Sequence, residues 1–260
     1  MTSFFEIYSN GLFLILGFMT LIWLLSVYLK NAGIVDIFWG IGFIILTGYY
    51  LLVENEISWR GWLISLLVLL WGLRLSIHIF ARNYGKPEDI RYQNFRKNYG
   101  GKHYWWVSFF QVFMLQGILL WMVSAPILGT MHHPASTRFG FIDLLGLLFW
   151  FTGMYFEVAG DRQLNKFRKN PDNKGKIFDD GLRRYTRYPQ YFGESLIWWG
   201  YGLLALASGN IFTLISPIIM TWLLYFVSGV KMMERYQSTK PGFDEYKNRT
   251  NAFFPWFPKK

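Results

Sequence analysis

The chain contains no cysteine, which excludes a disulfide framework, a thiolate metal site and a cysteine nucleophile. Charge is scarce as well. Asp, Glu, Lys and Arg make up 16% of its 260 residues, against about a quarter in a soluble domain. No Walker sequence is present. Gly40-Ile41-Gly42 lies within an apolar run and is followed by no turn or helix start, so it is not a dinucleotide-binding fingerprint. His132-His133 has no third ligand nearby and reads as loop, which leaves a metal site unsupported. Internal repeats and low-complexity linkers are absent too, and nothing marks a second domain within 1–260.

What is present is apolar surface, 53% of residues being hydrophobic and 21% aromatic, gathered into long runs. About 20 such residues cross a bilayer core as a helix. The runs predict an all-α polytopic membrane protein with seven transmembrane helices, over 11–29, 34–53, 59–80, 105–128, 141–160, 191–207 and 211–232. Residues 1–10 show neither a basic n-region nor a small-residue cleavage site, so the first run reads as a retained helix. Lysine and arginine fall in alternate loops: 23 of the 26 lie on one side, and only Arg60 and Arg138 on the other, with Arg74 inside the third run. The positive-inside bias then places the N-terminus outside and the C-terminus in the cytoplasm. With so much of the chain in the membrane, a net charge of +10 argues for lipid headgroups or a bound polyanion, not for nucleic acid.

Ionisable groups inside or at the margins of the runs mark candidate sites, since burying them in lipid is costly. These are Asp36, Arg74, His78, Glu157, Asp161 and Glu194. Arg74 and His78 are four apart and share a helix face; Glu157 and Asp161 do the same, and Asn165 and Arg168 continue that face past the membrane. For Asp36 the alternative is an N-cap of the second helix. The stretch from Gly181 to Glu194 carries Arg183, Arg184 and Arg187 just ahead of Pro189. Gln190 and Tyr191 follow at a predicted helix start, where backbone N–H groups suit a phosphate. Arg235 and Tyr236, just past the last run, and an aromatic tail closing on Phe253-Phe254-Pro255-Trp256 complete the set. That tail reads either as an interfacial anchor or as a flap over the site.

Gly160-Asp161, Phe167-Arg168-Lys169, Gly181-Leu182, Gln190-Tyr191-Phe192-Gly193-Glu194, Phe243-Asp244-Glu245-Tyr246 and Phe254-Pro255-Trp256 together resemble the C-terminal domain of the steroid 5α-reductase family over 157–260. Asn31 to Trp39 and Trp71-Gly72-Leu73-Arg74-Leu75 resemble its bacterial branch. The resemblance implies a seven-span reductase of the bacterial inner membrane. It would use NADPH, bound from the cytoplasm, to reduce the 4,5 double bond of a 3-oxo-4-ene steroid or another lipid-soluble enone. Asp161, Arg168, Lys176 and Gln190 match cofactor-contacting positions, with Glu194 behind them, and Arg74 matches a basic position near the adenosine end. His78, Glu157, Asn165, Arg187, Tyr191, Arg235 and Tyr236 are expected around the same cofactor. Glu157 and Gln190 stand where animal members have asparagine, and Lys176 where they have arginine. The substrate carboxylate of the family corresponds to Asp36, expected to carry the proton that polarises the 3-oxo group, while Glu194 orients the nicotinamide end. The family's tyrosine partner falls at Trp71.

Two other readings remain. Tyr185 to Gly193 is similar to the isoprenylcysteine carboxyl methyltransferase pattern, with Tyr188 in place of a histidine, which would imply S-adenosylmethionine. A non-enzymatic sterol- or lipid-binding protein is the third. The sequence does not set the oligomeric state.

Overall fold

A computed structural model describes residues 3–132 and 138–259; His133 lies outside the described residues. All of the regular structure among them is helical. Six helices are long and apolar enough to cross a membrane: α1 (Phe4–Leu29), α2 (Ala32–Val53), α3 (Trp59–Asn83), α5 (Tyr104–Met131), α6 (Phe141–Lys169) and α8 (Ile211–Gln237). The polar helix α4 (Ile90–Tyr99) lies between α3 and α5, and α9 (Phe243–Arg249) lies in the tail. The sixth predicted span corresponds to α7 (Pro189–Ala207), a helix of 19 residues. Its glutamine, glutamate, tyrosines and tryptophans lower its hydropathy below that of the other six.

By contacts the chain forms two compact units. One runs up to His132 and includes Ser208–Asn210; the other is Arg138–Ala207 with the residues from Ile211 onward.

In the first unit, helix ends follow local chemistry. Ser3 accepts from the N–H of Glu6 at 3.2 Å to cap α1, and Ser58 accepts from that of Gly61 at 3.3 Å to cap α3. α1 stops at Lys30, which turns left-handed at φ 52°, and Asn31 caps the 3₁₀ turn that opens α2. Asp36 is therefore already inside its helix and caps nothing. Phe43, Leu46, Ile64, Val68 and Trp71 form a fully buried core, while Phe13, Leu21, Leu66 and Ile77 remain on outer faces as lipid-facing residues do.

In the second unit, α6 and α7 meet along small residues. A methyl group at Gly153 would stand 2.5 Å from the carbonyl oxygen of Gly193, and one at Gly193 would stand 2.6 Å from that of Gly153. Backbones this close are how membrane helices associate, so Gly153→Ala should cost about 1–3 kcal/mol as overpacking does. A thermal melt in detergent checks this: a clearly lowered midpoint is expected, and an unchanged one would contradict the close approach. α6 extends more than two turns past the predicted end of the fifth span, carrying Asp161, Asn165 and Arg168 with it.

Candidate functional site

Each unit holds one polar cluster. In the first, Asp36 stands in the opening turn of α2 and faces α4. Its Oδ1 accepts from the hydroxyl of Tyr92 at 2.7 Å, and its Oδ2 from Nη2 of Arg91 at 2.5 Å. Asp89 caps α4 through the N–H of Arg91 and takes Nε of the same arginine, both at 2.9 Å. Glu88 accepts from the N–H of Ala32 at 2.7 Å and pairs with Arg96, whose Nη2 also reaches the carbonyl of Lys30. These bonds tie α4 to the corner between α1 and α2, and so fix Tyr92 against Asp36. Tyr92 is buried, and burial first, then the Asp36 charge, push its phenol well above the usual tyrosine pKa.

This geometry redistributes the expected roles. The two oxygens of Asp36 are thus taken by Arg91 and Tyr92. The tyrosine that the resemblance placed at Trp71 is absent there, for Trp71 is buried against Phe43. Arg74 and His78 lie one turn apart on α3, both half-buried, in this same unit.

In the second unit, Glu157, Asp161, Asn165 and Arg168 follow one another down a face of α6. Glu157 is buried at 2% exposure, at the level where Gly193 approaches. Glu194 is buried on α7 and accepts from the indole N–H of Trp198 at 2.9 Å. On α6, Gln163 accepts from the N–H of Leu182 at 2.9 Å. That bond holds the 3₁₀ turn Gly181–Arg184 against the helix, with Gly181 at φ +60° where a side chain would strain.

The turn buries Arg183, which donates to the carbonyl of Arg187 at 2.6 Å and to Oε1 of Gln190 at 3.3 Å. Its Nε and the buried hydroxyl of Tyr188 have no hydrogen-bond partner among the described residues. Burial chiefly, with the charge of Arg168 adding, lowers the Arg183 pKa, and burial together with Arg168 and Arg183 lowers that of Lys240. Arg168, Arg183 and Lys240 thus stand near enough for their charges to act on one another.

Arg187 was expected around the cofactor. Its guanidinium forms an ion pair with Glu234 and donates to the carbonyls of Lys247 and Thr250. Its N–H bonds the carbonyl of Asn251 at 2.9 Å. It is a clamp for the tail, helped by Thr186, which donates to the carbonyl of Phe253 at 2.8 Å, and by Tyr246, which donates to that of Arg183 at 2.6 Å. Of the remaining expected residues, Gln190 joins Arg183, and Tyr191 is half-buried at the start of α7. Lys176, Arg235 and Tyr236 are exposed. Sequence reasoning singled out Arg183 in the stretch before Pro189 but not Lys240, Arg91 or Tyr92. The signal available was the Arg91-Tyr92 pair in a basic loop. Among the described residues, no group of three or more His, Cys, Asp or Glu is placed to hold a metal.

A family model described as a protein of unknown function, DUF1295, matches residues 22–250. The chain belongs to this family. An uncharacterized protein of Schizosaccharomyces pombe is 27% identical over 97% of this chain and 83% of its own length. Human 3-oxo-5-alpha-steroid 4-dehydrogenase 1 is 40% identical over 60 residues, 23% of each chain. The steroid 5-alpha-reductase DET2 of Gossypium hirsutum is 36% identical over 24% of each. The DUF1295 chain thus shares a segment with the broad steroid 5α-reductase family, covering about a quarter of those enzymes. No solved structure matches it.

Proposed function

We propose that this membrane protein is an NADPH-dependent reductase of conjugated enones in lipid-soluble molecules, with 3-oxo-4-ene steroids as the model substrate, close to the bacterial branch of the 5α-reductases. The observation that carries the reading is the gathering of Arg168, Arg183 and Lys240 around a buried, unpartnered guanidinium N–H. These residues fit the phosphates of NADPH, which carries several negative charges. S-adenosylmethionine has no phosphate to offer the unpartnered Arg183 N–H, so the methyltransferase reading is weaker.

NADPH supplies a hydride to the β-carbon of the enone. The chain's own groups do the rest. Arg168, Arg183 and Lys240 bind phosphate, and Asp161, Gln190 and Glu194 orient the less charged parts of the cofactor. Within the first unit, Tyr92 is the hydrogen-bond donor suited to a carbonyl oxygen on which charge develops. Asp36 is a positioning residue that holds the Tyr92 hydroxyl in one direction, and burial keeps that hydroxyl protonated.

Progesterone and NADPH, mixed with purified protein and followed by loss of the near-ultraviolet absorbance of NADPH, provide the test. Oxidation that depends on both is expected. No oxidation with any 3-oxo-4-ene steroid would remove the steroid assignment.

The charge distribution supports seven crossings, α7 included, with the tail and the cations on the cytoplasmic side of a bacterial inner membrane. Reporter fusions after Lys259 and at Ser208 should therefore give opposite signals. An outside signal from the tail would overturn this topology.

A further inference from the structure

A cleft of about 700 Å³ lies on the second unit between α7, α8 and the tail, in a size range typical of small-molecule sites. Trp199, Trp222, Tyr225, Phe226, Phe253 and Phe254 make its walls largely aromatic. Trp222 and Phe254 are more than half exposed, so the cleft opens to the surroundings of the helices instead of being sealed by protein. Part of its α8 wall is a π-helical stretch, Leu223–Val227, which carries Tyr225 and Phe226; such stretches occur often at functional sites.

The polar atoms of the wall are mostly spent internally. The Thr221 hydroxyl donates to the carbonyl of Pro217 at 2.7 Å, accepts from the indole of Trp199 at 3.2 Å and meets the Ser195 hydroxyl at 2.7 Å. The wall therefore offers hydrocarbon contact and few demands for hydrogen bonds. Two polar groups remain. The Asn251 carboxamide makes no hydrogen bond among the described residues, and the ammonium of Lys231 sits 4.6 Å from the centre of the Phe226 ring. Lys231 is exposed and forms no ion pair among the described residues.

An apolar trough open to the bilayer, with an amide in its lining and a cation beside its Phe226 wall, matches an acyl chain below a phosphate head. We propose that this cleft binds one anionic phospholipid, its chain along the aromatic wall and its phosphate at Lys231 and Asn251. This site is separate from the cations assigned to the cofactor and does not rest on the reductase reading.

Native mass spectrometry tests it on the full chain, released from vesicles of equal phosphatidylglycerol and phosphatidylcholine. The parent protein should retain one phosphatidylglycerol in preference to phosphatidylcholine. Lys231→Gln, a surface change that leaves packing alone, should reduce that preference about fivefold, the weight of one basic side chain at an anionic surface. Ala252→Trp should fill the cleft and abolish retention. Three results would overturn the proposal: no preference in the parent, an unchanged preference in Lys231→Gln, or retention by folded Ala252→Trp equal to the parent. Should Ala252→Trp fail to fold, the Lys231→Gln comparison decides alone. Displacement of the lipid by progesterone would assign the cleft to substrate and would also contradict the proposal.

Discussion

Tyr92→Phe should leave NADPH binding intact and slow enone reduction by about two to four decades, the usual weight of a positioned acid. The substitution removes a single oxygen from a ring that stays buried, so little stability should be lost beyond the bond to Asp36. Asp36→Asn should lower turnover less, because an amide oxygen can still accept from Tyr92 although the pairing with Arg91 is weakened. A pH profile separates a donor from a merely structural tyrosine. With the phenol raised by burial and by Asp36, turnover should stay level as pH rises through 10.0, the unperturbed value for tyrosine. Turnover by Tyr92→Phe equal to the parent would move the donor elsewhere.

Arg183→Ala and Arg187→Ala should fail in different ways, although both arginines stand in one short basic stretch. Arg183 has a buried N–H with no partner and lies near two other cations. Removing it should weaken NADPH by about one to two decades, since a hydrogen bond to a charged group contributes about 1.5–3 kcal/mol. Relief of repulsion among the cations should offset part of the stability lost with its two hydrogen bonds. Arg187 is spent on Glu234 and the tail carbonyls. Its loss leaves Glu234 with only Lys247, 3.6 Å away, and should cost about 3 kcal/mol of stability. Isothermal titration and thermal melts on both variants read the two effects separately. If Arg187→Ala weakens NADPH as strongly as Arg183→Ala with no loss of stability, the division between clamp and binding residue is wrong.

The membrane helices were legible because each rests on a long apolar run, and six of them match predicted spans. The extension of α6 was also readable, from the four-residue spacing of Glu157, Asp161 and Asn165. The polar helix α4 was not. Its residues show no apolar run, and its place is set by contacts far along the chain, from Glu88 to the N–H of Ala32 and from Arg91 and Tyr92 to Asp36. The N-cap alternative for Asp36 fails, since the residue already stands inside α2, where two residues of α4 approach its carboxylate. Arg183 and Arg187 are equally basic on the page. Only the return of the tail, which brings the carbonyls of Lys247 and Thr250 to Arg187, decides which one is consumed.

The central claim is that the cations of the second unit bind NADPH. Thermal melts of the purified protein with NADPH, NADH or S-adenosylmethionine test it without any choice of substrate. The account predicts a rise in midpoint with NADPH, a smaller one with NADH, none with S-adenosylmethionine, and loss of most of the NADPH effect in Arg183→Ala. Stabilisation by S-adenosylmethionine alone, or by none of the three, would contradict it.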